Sequence, residues 1–552
     1  MLYTFYKYLK NNGLISTIFK ICSYLNKNGL FDFFNRVSQL NNYNKYDHPL
    51  ESCSQNSLNS LPMIAVVVYK NDISAKDEKR IFNDFHNYDV VLVNSEDYAI
   101  LFQELQFSRI IILYDLDLEN LSKSIRMEIN RLSLKIVNYG LTKKSLNNEI
   151  NLVNKQKILV VNCFYYPLSF GGATIVVEEL NKKFHENSLF DIYIFTITAS
   201  NNKDLIGKII RYEAFEQNVF TYYVDKLEHN NNLNNESNFL NAFESILLNL
   251  KPDIVHFHSI QGMGEEMINI CHKIHIKTIV TCHDFWWVTE KQFLTTQNFL
   301  DNNVDNNVFQ ILKNEESMIV MNRKNALKKV NLILSPSVFL KKILLKLDFK
   351  NIKFNKNGIK IPRNNFSYSR VDKNSIVFGF IGGKSEIKGF NLIIEAFKKI
   401  NSKKIKLIIV DNTTSLGYSS ITINDLKGIP NYELIPSFKQ NEIDLFYQRI
   451  DILLYPSLAI ESFGLAPREA ACRNKLIIAT DIGGITEDIS QNSNFYLPLS
   501  PKFDFEELCL KINQACILIE EGKKNYSKSF KYRDFSRQAN ELEDIYLSIL
   551  NE

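Results

Sequence analysis

The stretch 461-ESFGLAPREAACRNKLIIATDIGGITEDI-489 carries the reading of this chain. Glu461 and Glu469 stand eight apart, on either side of a Gly-containing turn that leads into a helix. Pro467 suits the first helical turn, where its missing N–H costs nothing. Asn474 suits the helix end, because Asn tolerates the left-handed conformation. Leu476 to Ala479 then reads as a short buried strand, with the glycine pair Gly483 and Gly484 beyond it. A helix start offers free backbone N–H groups and positive dipole character, both suited to a phosphate. Carboxylates beside it accept hydrogen bonds from hydroxyls. A diphosphate cradle next to two hydroxyl acceptors suits a nucleotide sugar.

A glycosidase pair is a poorer reading of the same glutamates. Two carboxylates flanking one bond stand roughly 5–10 Å apart, whereas eight helical residues span about 12 Å. Taken alone, two glutamates near a helix start are ordinary solvated charges, favoured there by the dipole. The ordered context in the rest of the chain is what gives them a role.

That context begins at 158-ILVVNCFYYPLSFGGATIVVEELNKKF-184, which reads as strand, glycine-rich loop and helix. The segments 251-KPDIVHFHS-259 and 277-KTIVTCHDFWW-287 read as further strands with polar ends. Then come 335-SPSVFLKK-342, 356-KNGIKIP-362, 376-IVFGFIGGKSEIKGFNLIIEAFKKI-400 and 450-IDILLYPS-457, the last leading into the glutamate motif. In this order the set resembles the family 4 retaining glycosyltransferases, whose E-x7-E signature the opening stretch matches. The resemblance covers about residues 156–550 and does not extend to residues 1–150. It implies the α/β GT-B fold: two doubly wound Rossmann-like domains facing a cleft, with ligands at the carboxyl ends of the strands. The N-terminal, acceptor-side domain falls at 156–365. The nucleotide-sugar-binding domain falls at 366–552 and ends in a helix, within 530–550, that crosses back to the first domain.

The resemblance also assigns roles. Glu469 accepts hydrogen bonds from the nucleotide ribose and Glu461 from hydroxyls of the donor sugar. The backbone amides of Phe463, Gly464 and Leu465 meet the diphosphate. Lys388, in the loop 382-GGKSEIKG-389, neutralises charge on the leaving diphosphate. The family carries a basic residue, usually Arg, about five positions before that lysine; here the place is taken by Gly383, with Lys384 beside it. Gly171 and Gly172 let backbone approach the donor phosphate and the acceptor. His283 contacts the donor sugar near the reacting carbon, and Asp284 orients its ring or caps the next turn. His256 and His258 alternate along one strand, share a face, and read as structural. No metal and no cofactor are expected; the donor is a substrate. The implied reaction moves a sugar from a nucleotide-diphosphate sugar to the hydroxyl of a glycan or lipid-linked acceptor, with retention. Two other readings stay open: a catalytically silent sugar-nucleotide-binding or scaffold protein, and a sugar-nucleotide epimerase on the same fold.

The chain has 552 residues, enough for about three domains. Lys and Arg number 65 against 61 Asp and Glu, a net +4. So balanced a charge argues against a general nucleic-acid binder. The eight cysteines form no C-x-x-C pair and read as free thiols in a reducing compartment. No apolar run reaches the 18 or so residues that span a bilayer. With no signal-peptide pattern, the expected location is the cytoplasm, at the inner face of the membrane if the basic amphipathic stretch 1–48 docks there. Residues 1–61 read as that helical segment with a linker, and 62–150 as a small parallel α/β extension with strands at 63–69, 89–94, 109–114 and 135–139. Asp115 and Asp117 form a D-x-D after one of these strands, read as structural or docking rather than as a metal site.

Overall fold

The computed structural model describes four strands before residue 154 and residues 155–551, apart from 188, 201–202, 204, 227–232, 297–298, 300–302, 364–365, 367–373, 486, 490–495 and 522–531. The basic stretch 1–48, the linker after it and the D-x-D at Asp115 lie outside the described residues. Two compact units are present. One takes in the strands before Asn154 with Ala199–Lys226 and Asn241–Lys251; the other holds Lys155–Thr198, Leu227–Leu240 and Pro252–Glu552.

In the first unit, β1 (Met63–Tyr69), β2 (Tyr88–Asn94), β3 (Ile110–Tyr114) and β4 (Lys135–Tyr139) form a sheet in the order β2-β1-β3-β4. Every pair in it is parallel. The strands fall on the four Val- and Ile-rich runs read from the sequence. The same unit holds an antiparallel hairpin, β7 (Ile209–Ala214) and β8 (Gln217–Val224). Phe215 and Glu216 close it with φ of 52° and 61°, the left-handed pair that a two-residue hairpin turn demands.

The second unit contains two parallel sheets. In the first, β5 (Gln156–Val161), β6 (Phe190–Ala199), β9 (Ile254–Phe257), β10 (Lys277–Thr281), β11 (Leu332–Ser335) and β12 (Ile352–Phe354) run β12-β11-β10-β9-β5-β6. In the second, β13 (Ile376–Phe380), β14 (Ile405–Asp411), β15 (Tyr432–Pro436), β16 (Ile452–Tyr455), β17 (Leu476–Thr480) and β18 (Tyr496–Leu499) run β15-β14-β13-β16-β17-β18. Alternation along the strands builds a core on both faces of the second sheet. Phe378, Leu407, Leu454 and Ile478 pack in one cluster. Their neighbours Val377, Ile408, Leu453 and Ile477 pack in the other. Both sheets reverse direction of growth beside their first strand, between β5 and β9 and between β13 and β16. Doubly wound sheets bind ligands at such switch points, and the segments after these four strands carry Gly171, Gly172, His258, Lys388 and Glu461, with His283 after the neighbouring β10.

The last helix, Phe535–Asn551, packs against the first sheet's layer. Tyr546 lies against Phe184 and Phe190, and the Lys277 ammonium donates to Ile549 O at 2.6 Å. At its other end Gln538 accepts from Gly358 N at 2.6 Å and so pins the segment between the two sheets.

Candidate active site

At the carboxyl end of β16 the chain turns through Ser457–Gly464 before entering the helix Leu465–Cys472. Glu461 lies in that turn. Its Oε1 accepts from Ser457 Oγ at 2.9 Å and from the Lys388 ammonium. Lys388 arrives from the loop after β13, where Leu458 N and Ala459 N both donate to Ile387 O. Gly389 makes this approach possible: its φ is +83°, and a Cβ there would stand 2.2 Å from Pro456 O. Burial opposes the Lys388 charge, but Glu461 outweighs it with help from Tyr455, and the ammonium is held far above its ordinary range. Burial and Glu461 together push the Tyr455 phenol up as well. Lys388 is therefore a permanent cation, and only one of its three donors is used on Glu461.

Gly464, φ +82°, is the residue before the first helical one, Leu465. Arg468, one turn in, is 1% exposed. Its guanidinium donates to the carbonyls of Phe463 and Gly464 behind it, to Gly484 O at 2.7 Å and to Asp488 at 2.8 Å. The glycine pair completes the clasp: Gly484 N donates to Glu461 O at 2.7 Å, and a Cβ on Gly484 would lie 2.1 Å from Ser462 O. With their carbonyls held by Arg468, Phe463 and Gly464 leave their amides, with that of Leu465, without a protein acceptor among the described residues. Free amides at a helix start suit an anion.

Glu469 lies on the same helix, 6% exposed, and accepts from Gln440 Nε2 at 2.6 Å. Burial raises its carboxyl above the usual range, against the pull of Arg473. The field of Glu179, which pairs with Lys182 at 2.7 Å and Lys360 at 3.2 Å, adds to the rise.

The loops of the first sheet reach the same turn. A Cβ on Gly172 would stand 3.3 Å from Leu465 Cδ1, so the glycine loop after β5 abuts the helix start; Gly171 beside it has φ +84° and open space. Ser462 Oγ donates to His283 O, and Ile460 N donates to Leu294 O at 2.8 Å. The His283 ring is held by another histidine: Nε2 lies 2.9 Å from His258 Nδ1. The His256 ring packs against His258, tilted by 35° with ring centroids 4.1 Å apart, and both its nitrogens are taken, Nδ1 by Tyr546 OH at 2.7 Å and Nε2 by Thr281 Oγ1 at 2.8 Å. Burial lowers all three, His256 to about 3 and His283 to about 4. At neutral pH the row is uncharged. Asp284 caps the following turn, accepting from Trp286 N at 2.9 Å, and does not hold the His283 ring. Among the described residues, no three His, Cys, Asp or Glu side chains converge on a metal-sized site.

Comparison with known proteins bears on this arrangement. The family described as Glycosyltransferase Family 4 matches residues 170–363, and Glycosyl transferases group 1 matches residues 363–524. The chain carries the domains of a group 1 glycosyltransferase. An uncharacterized glycosyltransferase of Methanocaldococcus jannaschii is 24% identical over 67% of this chain and 92% of its own. An uncharacterized 42.6 kDa protein in the cps region of Klebsiella pneumoniae is 23% identical over 60% of this chain and 86% of its own. Among solved structures, a sucrose-phosphate synthase from Thermosynechococcus elongatus superposes with a TM-score of 0.52, at 14% identity, over 72% of this chain and 100% of that one. An E. coli trehalose-6-phosphate structure bound with UDP-2-fluoro glucose gives a TM-score of 0.50, at 12% identity, over 72% and 99%. These show the fold.

In this glycosyltransferase Lys388, Glu461, Phe463, Gly464, Leu465 and Gly172 meet around one turn, and His283 lies against it through Ser462. Lys384 is directed elsewhere: its ammonium pairs with Asp425 at 2.8 Å on the surface. Gly383 (φ +61°) lies beside Asn412. Sequence reasoning did not single out Arg468, Tyr455, Ser457, Gln440 or Glu179, and it set His258 aside as structural. A buried arginine one turn beyond Gly464 is legible only once the loop closes on it. Of the eight cysteines, the six described are free thiols, five of them buried. Among the described residues no helix is long and apolar enough to cross a membrane.

Proposed function

We propose that this glycosyltransferase moves a sugar from a nucleotide-diphosphate sugar to an acceptor hydroxyl, with retention at the anomeric carbon. Cell-surface glycan or lipid-linked saccharide synthesis is the proposed setting. The observation that carries the reading is the meeting of three amides without a protein acceptor among the described residues, the Lys388 cation and the Glu461 carboxylate on one turn at a sheet switch point, with Glu469 on the helix that the turn starts. The domain over 366–552 takes the nucleotide sugar and that over 156–365 the acceptor. The diphosphate lies on the amides of Phe463–Leu465 with Lys388 against it. Glu469 receives the ribose hydroxyls in exchange for Gln440, and Glu461 those of the sugar. The neutral His283 meets the sugar near its reacting carbon.

The acceptor oxygen then bonds to the anomeric carbon on the face from which the diphosphate departs. The departing phosphate takes the acceptor proton. The chain's part is to position the two substrates and to stabilise the charge that grows on the leaving group. No metal enters this scheme, because Lys388 supplies the compensating charge. Lys384 becomes a second phosphate contact once it leaves Asp425; exposed ion pairs of that kind are worth only about 0–1 kcal/mol. UDP-2-fluoro glucose in the E. coli structure of like fold supports a nucleotide sugar as ligand.

The test is nucleoside-diphosphate release from UDP-, GDP- and ADP-sugars, with and without a membrane lipid extract, for the wild type and Glu469→Ala. Release from one donor, raised by the extract and lost in the variant, is the expected result. Turnover of a donor without any acceptor, with the nucleotide left on the sugar, would instead indicate the epimerase.

A further inference from the structure

Residues 313–353 contain ten lysines and arginines and three acids, a net +7 in a chain whose total is +4. Part of that charge converges. A cavity of about 260 Å³ lies among the helices Val304–Lys313, Met318–Lys329 and Val338–Lys346; Phe309, Lys313, Lys324, Lys328 and Lys346 line it, with Asp348 its one carboxylate. Lys324 donates to the carbonyls of Leu312 at 3.3 Å and Glu315 at 3.0 Å. Lys346 Nζ stands 5.6 Å from the Phe309 ring centroid. Among the described residues Lys313, Lys328 and Lys346 make no ion pair. Burial lowers the proton affinity of Lys324, opposed by Glu315 and reinforced by Lys328. Four ammonium groups share the cavity lining with one carboxylate, and an anion in the cavity would relieve their mutual repulsion.

The same helices also expose apolar side chains. Met318 is 75% exposed, and Ile319, Met321 and Leu345 are each about half exposed. Helical spacing aligns Met321, Lys324 and Lys328 in one stripe and Lys342, Leu345 and Lys346 in another. A soluble anion would use the lysines and gain nothing from the methionines. A bilayer surface uses both, since interfacial binding adds buried apolar area to attraction for anionic lipids. We propose that this face docks the protein on an anionic phospholipid membrane, with a headgroup phosphate in the lysine cavity and Met318, Ile319 and Met321 at the acyl boundary. The docking surface is separate from the turn at Glu461 and does not depend on the reaction assigned there. It also differs from any contact made by residues 1–48.

The test is partition of the full-length protein onto vesicles of phosphatidylcholine alone and of phosphatidylcholine with about 30 mol% phosphatidylglycerol, where each basic residue near such a surface contributes about fivefold. The wild type should bind the anionic vesicles and release them at high salt. The double variant Lys328→Ala/Lys346→Ala should partition about 25-fold more weakly. Met318→Ser/Met321→Ser should also weaken binding, with the charge unchanged. Both variants should keep the wild-type melting temperature and the wild-type rate on a soluble donor and acceptor. Equal partition of the variants and the wild type would overturn the proposal, as would equal binding to neutral vesicles. Should pyrophosphate raise the wild-type melting temperature but not that of the lysine variant, while no vesicle binds, the cavity holds a free anion and the docking assignment is wrong.

Discussion

The ends of β9 and β10, beside the switch point of the first sheet, and the ends of β13 and β16, at that of the second, are carboxyl strand ends in two sheets of like topology, yet they carry opposite chemistry. The first is a row of three packed histidines, each bonded to a neutral partner and each held uncharged by burial. The second is a fixed ammonium–carboxylate pair with a phenol against it, above a helix start with free amides. Each sheet presents carboxyl strand ends at or beside a switch point; the residues at those ends decide what each can hold. A charged diphosphate fits the second. The first offers neutral hydrogen-bonding rings, which suit a sugar and do not compete with Lys388 for the phosphate.

The comparison breaks hardest at Lys388. Replacing it with Ala removes the ammonium that pairs with Glu461 and leaves Arg468 occupied by the loop carbonyls and Asp488, and the turnover number should fall about 10²–10³-fold, the usual loss for one donor aimed at developing charge. Steady-state release of nucleoside diphosphate reads this directly. A loss below tenfold would mean that the charge lies elsewhere, with Lys384 the first place to look. Next comes Arg468→Ala, which strips two loop carbonyls and Gly484 O of their donor and leaves Asp488 with Lys356 alone. About 3 kcal/mol of stability should be lost, because removing one partner of a buried pair leaves the rest uncompensated. Urea unfolding measures it.

The neutral row makes a prediction about pH. A histidine whose folded pKa is depressed binds its proton more readily when unfolded, so stability falls as pH drops below the unfolded value near 6.5. At pH 5 a group held near 3 or 4 has cost about 2 kcal/mol. His256→Asn should flatten the stability curve between pH 7 and pH 5; a curve as steep as the wild type's would show that the row does not titrate as described. The smallest effect concerns His258, whose nitrogen fixes which proton His283 carries. His258→Asn should lower the turnover number about tenfold with little change in the donor KM, and His258→Gln should recover part of it. An unchanged turnover number would leave His258 as packing.

The fold was open to sequence reading wherever a strand is a run of Ile, Val and Leu closed by a polar loop. β5, β10, β13 and β17 are such runs, and the four strands before residue 140 lie within a residue of the places expected for them. The glutamate turn was legible because a helix start announces itself through Gly464 and Pro467. What stayed hidden is what depends on distant chain. Arg468 reads as a solvated charge until Gly484 and Asp488 close over it. His258 reads as the second half of an alternating pair until His283, twenty-five residues on, lies 2.9 Å away. The direction of Lys384 depends on Asp425, forty-one residues beyond it. The net +4 of the chain concealed the basic face at 313–353, because acids elsewhere cancel it.

The central claim is that the diphosphate of a nucleotide rests on the amides of Phe463–Leu465 between Lys388 and Glu469. Isothermal titration of UDP, GDP and ADP into the wild type, Lys388→Ala and Glu469→Ala tests it most directly. One of the three nucleotides should bind the wild type and bind each variant at least about tenfold more weakly, a loss of about 1.4 kcal/mol. Equal affinity in all three proteins would place the nucleotide somewhere else and contradict the account.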